Sequence, residues 1–79
     1  MLEEALSHLV RGIVDNPEDV TVNERSQRRG QCLDVRVHPD DMGRVIGRAG
    51  RTASSLRTVM TALNEGRAVR IDFLDVAER

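Results

Sequence analysis

Aromatic side chains are almost absent from this chain, which has no Trp, no Tyr and a single Phe among 79 residues. The one aromatic residue, Phe73, lies in an alternating apolar segment and is expected in the core of a sheet. Proteins that bind nucleic-acid bases on aromatic platforms, such as RRM and many OB-fold proteins, need several exposed rings. The composition therefore excludes that mode of base binding.

Cysteine is equally scarce, since Cys32 is the only one. A single cysteine cannot form an internal disulfide, and no Cys/His cluster has the spacing of a zinc site. We expect no metal and no cofactor. Cys32 is predicted to be a small strand residue, because a reactive thiol would need a base or a positive charge beside it.

Long apolar runs are also missing. No run approaches the roughly 18 residues needed to cross a membrane, and the acidic start Met1-Leu2-Glu3-Glu4 does not resemble a signal sequence. The hydrophobic content of 39% is typical of a folded domain, and the length predicts one small domain. We expect a cytoplasmic protein without a membrane partner.

Lysine is absent, so all 12 basic residues are arginines, and the net charge is −1. This balance argues against nucleic-acid binding through bulk charge. The distribution is uneven, however: residues 42–64 contain no acidic side chain but four arginines, and a second group of arginines lies at 25–29. The pattern predicts one basic face, although a solvated surface and a bias towards arginine codons remain alternatives.

Hydrophobic periodicity predicts the order of helices and strands. The expected helices are residues 2–13, 41–46 and 52–64, the expected strands are 20–24, 31–37 and 69–73, a polar loop covers 26–30, and a frayed tail covers 75–79. A crossover through two helices favours a parallel, right-handed connection between the last two strands. The expected fold is therefore α+β, in the order αββααβ, with a three-stranded mixed sheet covered on one face by three helices.

The most informative motif is VIGRAGR at residues 45–51. Two glycines without Cβ atoms, Gly47 and Gly50, allow a phosphate to approach the main chain. The predicted helix that follows directs free N–H groups and its positive dipole end to the same place. The motif alone is equally consistent with a plain turn in which glycine ends a helix.

Two helices joined at Gly-x-x-Gly and set between two strands resemble the core of a KH domain, and the preceding helix and strand resemble its type II form. The segments GRVIGRAGRTA at 43–53, LR at 56–57 and RVHPDD at 36–41, and a first helix ending near NP at 16–17, resemble the KhpA family of small bacterial single-KH proteins. The resemblance covers nearly the whole chain. It implies a single KH domain over 1–79, with a helix-strand extension at 1–25, a βααβ core at 31–74 and the glycine loop at 47–50.

This resemblance also implies a function: an RNA-binding protein, acting as an RNA chaperone or post-transcriptional regulator, that clamps the backbone of single-stranded RNA at the loop. The apolar residues Val45 and Ile46, with Leu56, would form a floor under the bases. Many KH domains have isoleucine where this chain has Ala53, which would shorten that floor. The expected RNA-binding residues are Gly47, Arg48, Ala49, Gly50, Arg51, Arg44, Val45, Ile46, Arg57, Arg28 and Arg29.

Three other readings compete with RNA binding. A helix-turn-helix DNA binder also joins two helices at a turn, but the flanking strands argue against it. The family is associated with self-pairing and with a larger KH protein, KhpB, so an assembly module acting through a homodimer or a KhpB-type heterodimer is the main alternative. Its expected interface is the helix at 51–64, with the small residues Ala53, Ser54, Ser55 and Thr58. An enzyme is not expected, because no nucleophile–base pair, metal cluster or P-loop is visible.

Overall fold

The computed structural model describes residues 1–28 and 30–76. Its helices and strands are α1 (Leu2–Arg11), β1 (Thr21–Gln27), β2 (Gly30–Val37), α2 (Met42–Ile46), α3 (Arg51–Leu63) and β3 (Val69–Asp75). Three single 3₁₀ turns, Pro17–Asp19, Pro39–Asp41 and Arg48–Gly50, lie between them. The predicted order αββααβ is confirmed. No helix in the described part of the chain combines the length and hydropathy that crossing a bilayer requires.

The sheet is mixed, as predicted. Its strand order is β1-β2-β3, with β1 antiparallel to β2 and β2 parallel to β3. The central strand β2 supplies Leu33, Val35 and Val37, all fully buried, at alternate positions. The helices add Leu6, Val10, Val45, Leu56 and Met60 to the same core cluster. Burial of this apolar surface is what holds the helices on one face of the sheet.

The β1–β2 hairpin is longer than predicted. Residues 26–30 were expected to form a loop, but Ser26 pairs with Gln31 and Gln27 pairs with Gly30. Polar residues continue the hairpin because its backbone hydrogen bonds do not depend on side-chain type. Gly30, with φ of 126°, adopts a conformation that other residues rarely reach at the point where β2 begins.

Two other boundaries also differ. The helix α1 ends at Arg11 rather than at Ile13, because Ile13 and Val14 both donate to the Val10 carbonyl in a closing turn. The strand β3 runs two residues further than predicted, and Asp75 pairs with Val37. Asp75 therefore belongs to β3 and not to the predicted tail, and residues 77–79 lie outside the described part of the chain.

Asp41 connects the N-terminal part of the chain to the segment that carries the glycine motif. It occupies the N-cap position of α2 but makes no capping hydrogen bond. Its carboxylate, only 1% exposed, instead accepts from the Asp15 amide at 3.1 Å, the Asn16 amide at 3.0 Å and Asn16 Nδ2 at 3.1 Å. A capping bond at the preceding turn comes from His38, whose Nδ1 accepts from the Asp40 amide at 3.0 Å.

Replacing Asp41 by Asn is expected to lower the thermal midpoint at neutral pH. It should also reduce the amount by which the thermal midpoint falls on acidification. Burial raises the pKa of the Asp41 carboxyl, but its three hydrogen bonds lower that pKa by more, so the net pKa lies below the usual 3.8. The stabilisation is therefore complete well above the usual pKa of 3.8 and is lost as the pH falls below it and through the lowered pKa of the folded state.

Thermal melts followed by circular dichroism at several pH values measure this effect. The matched control is Asp40→Asn, whose side chain is 85% exposed and which should behave like the wild type. If Asp41→Asn and the wild type lost stability in parallel on acidification, Asp41 would not carry the pH dependence.

Candidate nucleic-acid interface

The glycine motif forms one tight turn between α2 and α3. Gly47 has φ 77° and ψ 172°, and Gly50 has φ 75° and ψ 16°. The Gly50 amide donates to the Gly47 carbonyl at 3.1 Å. Between them, Ala49 adopts φ 56° and ψ 26°, a left-handed conformation that costs a residue with a Cβ about 1 kcal/mol. Strain of this kind is found where a loop must hold a particular shape, often at a binding site.

The two glycines are required for different reasons. A Cβ at Gly47 would meet the side chain of Thr52 and would lie 2.8 Å from the Thr52 backbone nitrogen. Packing against the start of α3 therefore leaves no room for a side chain. A Cβ at Gly50 would meet no atom within 4 Å. The space that a side chain would occupy at Gly50 is therefore open.

The main chain at Gly50 is also the beginning of α3. This helix has 13 residues and no side chain caps its N-terminus. The Arg51 amide donates to the Arg48 carbonyl, so the N–H groups available to a ligand are those that follow it in the first turn, and the positive end of the helix dipole lies with them. Such an arrangement suits an anionic ligand.

Several arginines lie close to this helix end in the chain. Arg48 and Arg51 are exposed, and so is Arg57 further along α3. None of the three forms an ion pair with another residue of the described ranges. Arg44 differs, because its Nη2 lies 3.0 Å from the Asp15 carboxylate. The structure therefore brings three free guanidinium groups and one paired group to α2 and α3.

A shallow cavity of about 510 Å³ lies beside α2, along β3. Its walls come from Ile46 and from all three strands, through Arg25, Asp34, Ile71, Asp72, Phe73 and Leu74. Ile46 is 36% exposed, whereas Val45 is fully buried and Leu56 is 6% exposed. Three residues were expected to form an apolar floor. Ile46 alone borders the cavity, whereas Val45 and Leu56 lie in the core.

Phe73 and Leu74 were not predicted as site residues. They border the cavity because β3 is an edge strand, paired with β2 on one side in the described part of the sheet. The parallel pairing of β3 with β2 was expected. The alternation of residues 69–73, however, does not indicate which edge of the strand borders a cavity.

The remaining predicted site residues lie elsewhere. Arg28 follows β1 and lines a depression with Asn64 and Arg67, at the opposite end of α3 from the glycine turn. Arg29 lies outside the described residues. The structure therefore groups Arg48, Arg51, Ile46 and the glycines, and it places Arg28 apart from them.

Cys32 lies on the sheet face opposite the buried side chains of β2, within a polar cluster. Its Sγ, with oxygens of Asp34 and Asp72, forms a group of metal-ligand atoms all within 4.8 Å of one another. The Arg25 guanidinium already occupies this group, at 2.8 Å from Asp34 and 3.1 Å from Asp72. Burial, followed by the hydrogen bond to Asp72, raises the pKa of the Cys32 thiol and so opposes the thiolate that a metal would require.

Comparison with known proteins assigns this architecture to a family. The family model described as "KhpA/KhpB, KH domain" matches residues 3–72. The chain belongs to the KhpA/KhpB family of KH domains. The predicted resemblance and the predicted fold are thereby confirmed, and the helix-turn-helix alternative is wrong, because strands flank the two helices on both sides.

Members of the KhpA/KhpB family match the chain over nearly its whole length. The protein named "RNA-binding protein KhpA" from Streptomyces coelicolor is 67% identical over 76 residues, covering 96% of this chain and 95% of its own. Proteins of the same name are 60% identical in Leifsonia xyli subsp. xyli, over 95% of this chain and 99% of their own, and 56% identical in Mycobacterium bovis, over 91% and 89%. Membership of this family also confirms the expectation that the chain is not an enzyme.

A solved structure shares the fold at low sequence identity. Era from Aquifex aeolicus, in a crystal structure with GDP and AlF₄⁻, matches with a TM-score of 0.58 and 12% identity over 94% of this chain and 29% of that one. At such identity the likeness concerns the fold alone.

Proposed function

We propose that this KhpA-family domain binds single-stranded RNA by holding its sugar-phosphate backbone at residues 47–50. The observation that carries the proposal is the open space at Gly50, where no side chain covers the start of α3, with the exposed and unpaired Arg48 and Arg51 on either side of it in the chain. The names of its relatives describe RNA binding and so support the ligand class of this proposal.

In this proposal the contacts divide between backbone and bases. A phosphate lies against Gly50 and the amides that follow Arg51 in the first turn of α3, and Arg48 and Arg51 pair with it and its neighbour. Bases extend into the cavity beside Ile46, where β3 offers apolar side chains and main-chain polar groups. The charged side chains there, Arg25, Asp34 and Asp72, pair with one another, so we expect limited sequence preference, which suits an RNA chaperone or general regulator acting in the cytoplasm.

The affinity for single-stranded RNA is expected to be modest and to fall with salt. Three or four arginine–phosphate contacts predict a log–log slope of about −2 to −3, at roughly 0.7 per contact on a single strand. Fluorescence anisotropy with a labelled oligouridylate at several KCl concentrations measures this slope. A slope near zero would show that the arginines do not drive binding.

The second candidate function is assembly, and it rests on the exposed apolar residues of α3. Val59 is 44% exposed and Leu63 is 55% exposed, one helical turn apart. Ser54, Ser55 and Thr58 line a shallow depression with Arg51 and Val59, where a second helix can approach closely. A second copy of this chain or a KhpB-type KH domain would cover this surface.

A dimer through α3 predicts that one charged substitution there produces a monomer. Light scattering at tens of micromolar should give a dimeric mass for the wild type and a monomeric mass for Val59→Arg, because the new charge cannot be buried unpaired in an interface. The control is an arginine on another helix, Glu4→Arg, which should remain dimeric. A monomeric wild type would remove the assembly proposal, and a dimeric Val59→Arg would move the interface away from α3.

A further inference from the structure

A second pair of arginines lies at the far end of α3 from the glycine turn. Arg28 follows β1 at the hairpin turn, and Arg67 lies two residues before the start of β3. With Gly30, Gln31, Asn64 and Ala68 they line a single depression of about 570 Å³. None of these residues borders the cavity at Ile46, so the depression is a separate feature of the surface.

Both guanidinium groups are free of ion pairs within the described residues. Two hydrogen bonds to Asn64 nevertheless fix the main chain at Arg67. The Arg67 amide donates to the Asn64 carbonyl at 3.1 Å, and the Arg67 carbonyl accepts from Asn64 Nδ2 at 3.2 Å. The acids nearby are Glu65, which is exposed, and Glu24, which accepts from Gln31 at 2.6 Å. Two unpaired guanidinium groups in one concave site suit an oxyanion.

The distance between the glycine turn and the depression at Arg28 and Arg67 is one that a single RNA strand can span. The 13 residues of α3 rise by 1.5 Å each, which separates the glycine turn from the Arg67 turn by about 20 Å. A stacked single strand advances about 3.4 Å per nucleotide, so about six nucleotides cover that distance. Arg57 is exposed part-way along the helix.

We propose that Arg28 and Arg67 form a second phosphate contact for the same RNA strand that the glycine turn holds. This inference rests on the proposed RNA binding and adds a footprint: a strand of about ten nucleotides engages both sites, whereas a strand of about four, the number that a glycine loop of this kind clamps, engages the turn alone. Arg67 then acts as a phosphate-binding residue outside the glycine motif.

Comparing RNA lengths tests the second contact. Affinities for oligouridylates of four and twelve nucleotides are measured by anisotropy for the wild type and for Arg28→Gln with Arg67→Gln. The double variant should bind the 12-mer about threefold to tenfold more weakly, should bind the 4-mer like the wild type, and should have a 12-mer salt slope smaller by about 1.4. A longer strand can bind in more registers, which raises its apparent affinity. Comparing the wild type and the variant on the same RNA removes this effect of length.

The control is Arg11→Gln with Arg70→Gln, which removes the same charge at positions outside the depression and should change neither affinity. Equal weakening for both RNA lengths, or equal weakening by the control, would overturn the second contact in favour of bulk charge. Unchanged binding of the 12-mer by the double variant would overturn it outright. Failure of the wild type to bind either RNA would instead overturn the proposed function, so the two failures are distinguishable.

Discussion

Replacing Arg48 and Ala49 together by aspartate is expected to lower the affinity for single-stranded RNA at least about tenfold, since one phosphate contact is lost and two repulsive charges are added. Both positions are exposed, so the new side chains displace nothing from the core. Ala49 has a left-handed conformation with φ of 56°, which aspartate tolerates better than most residues. The domain should therefore stay folded. Anisotropy measures the affinity, and a thermal melt measures the fold.

A neutral variant separates repulsion from loss of contact. In Arg48→Gln with Ala49→Asn, the new side chains are similar in size to aspartate but add no negative charge. This variant should bind RNA with intermediate affinity. If the aspartate variant were folded and bound RNA as tightly as the wild type, the backbone would not be held at this turn.

Replacing Gly47 by Ala is expected to cost about 3 kcal/mol of unfolding free energy, far more than the same change at Gly50. The conformation of Gly47, with φ 77° and ψ 172°, is nearly exclusive to glycine and costs other residues about 1–3 kcal/mol. The added Cβ would also lie 2.8 Å from the backbone nitrogen of Thr52, so α3 itself would have to move. For a domain of this size such a loss lowers the thermal midpoint by more than about 10 °C.

Gly50→Ala is the matched comparison. Its Cβ would meet no atom within 4 Å, so the cost is the left-handed conformation alone, about 1–2 kcal/mol. The variant should remain folded but bind RNA weakly, because the methyl group covers the main chain that a phosphate would approach. Urea unfolding compares the two stabilities. Equal destabilisation would contradict the different packing of the two glycines, and full RNA affinity of Gly50→Ala would contradict the approach of phosphate at Gly50.

Local patterns in the sequence predicted much of this fold because its elements are strongly periodic. Leu33, Val35 and Val37 alternate on one strand and are all fully buried. Boundaries were less accurate, because backbone pairing extends the hairpin through Ser26 and Gln27 regardless of the polarity of those residues.

The site was less predictable, because it depends on contacts between distant parts of the chain. Arg44 resembles Arg48 in sequence context, yet it pairs with Asp15. Val45 and Ile46 are adjacent and similarly apolar, but one is fully buried and the other is exposed at the cavity, because successive residues of a short helix point to different sides. The strand order that places Phe73 and Leu74 beside Ile46 is likewise a property of the folded sheet.

Amide chemical-shift mapping during titration with a short oligouridylate tests the central proposal most directly, since the chain has a mass of 8.8 kDa and is suited to NMR. The largest shifts should occur at residues 47–51, with smaller shifts at Ile46 and along β3. Shifts confined to the exposed surface of α3 around Val59 and Leu63, with none at the glycine turn, would contradict it.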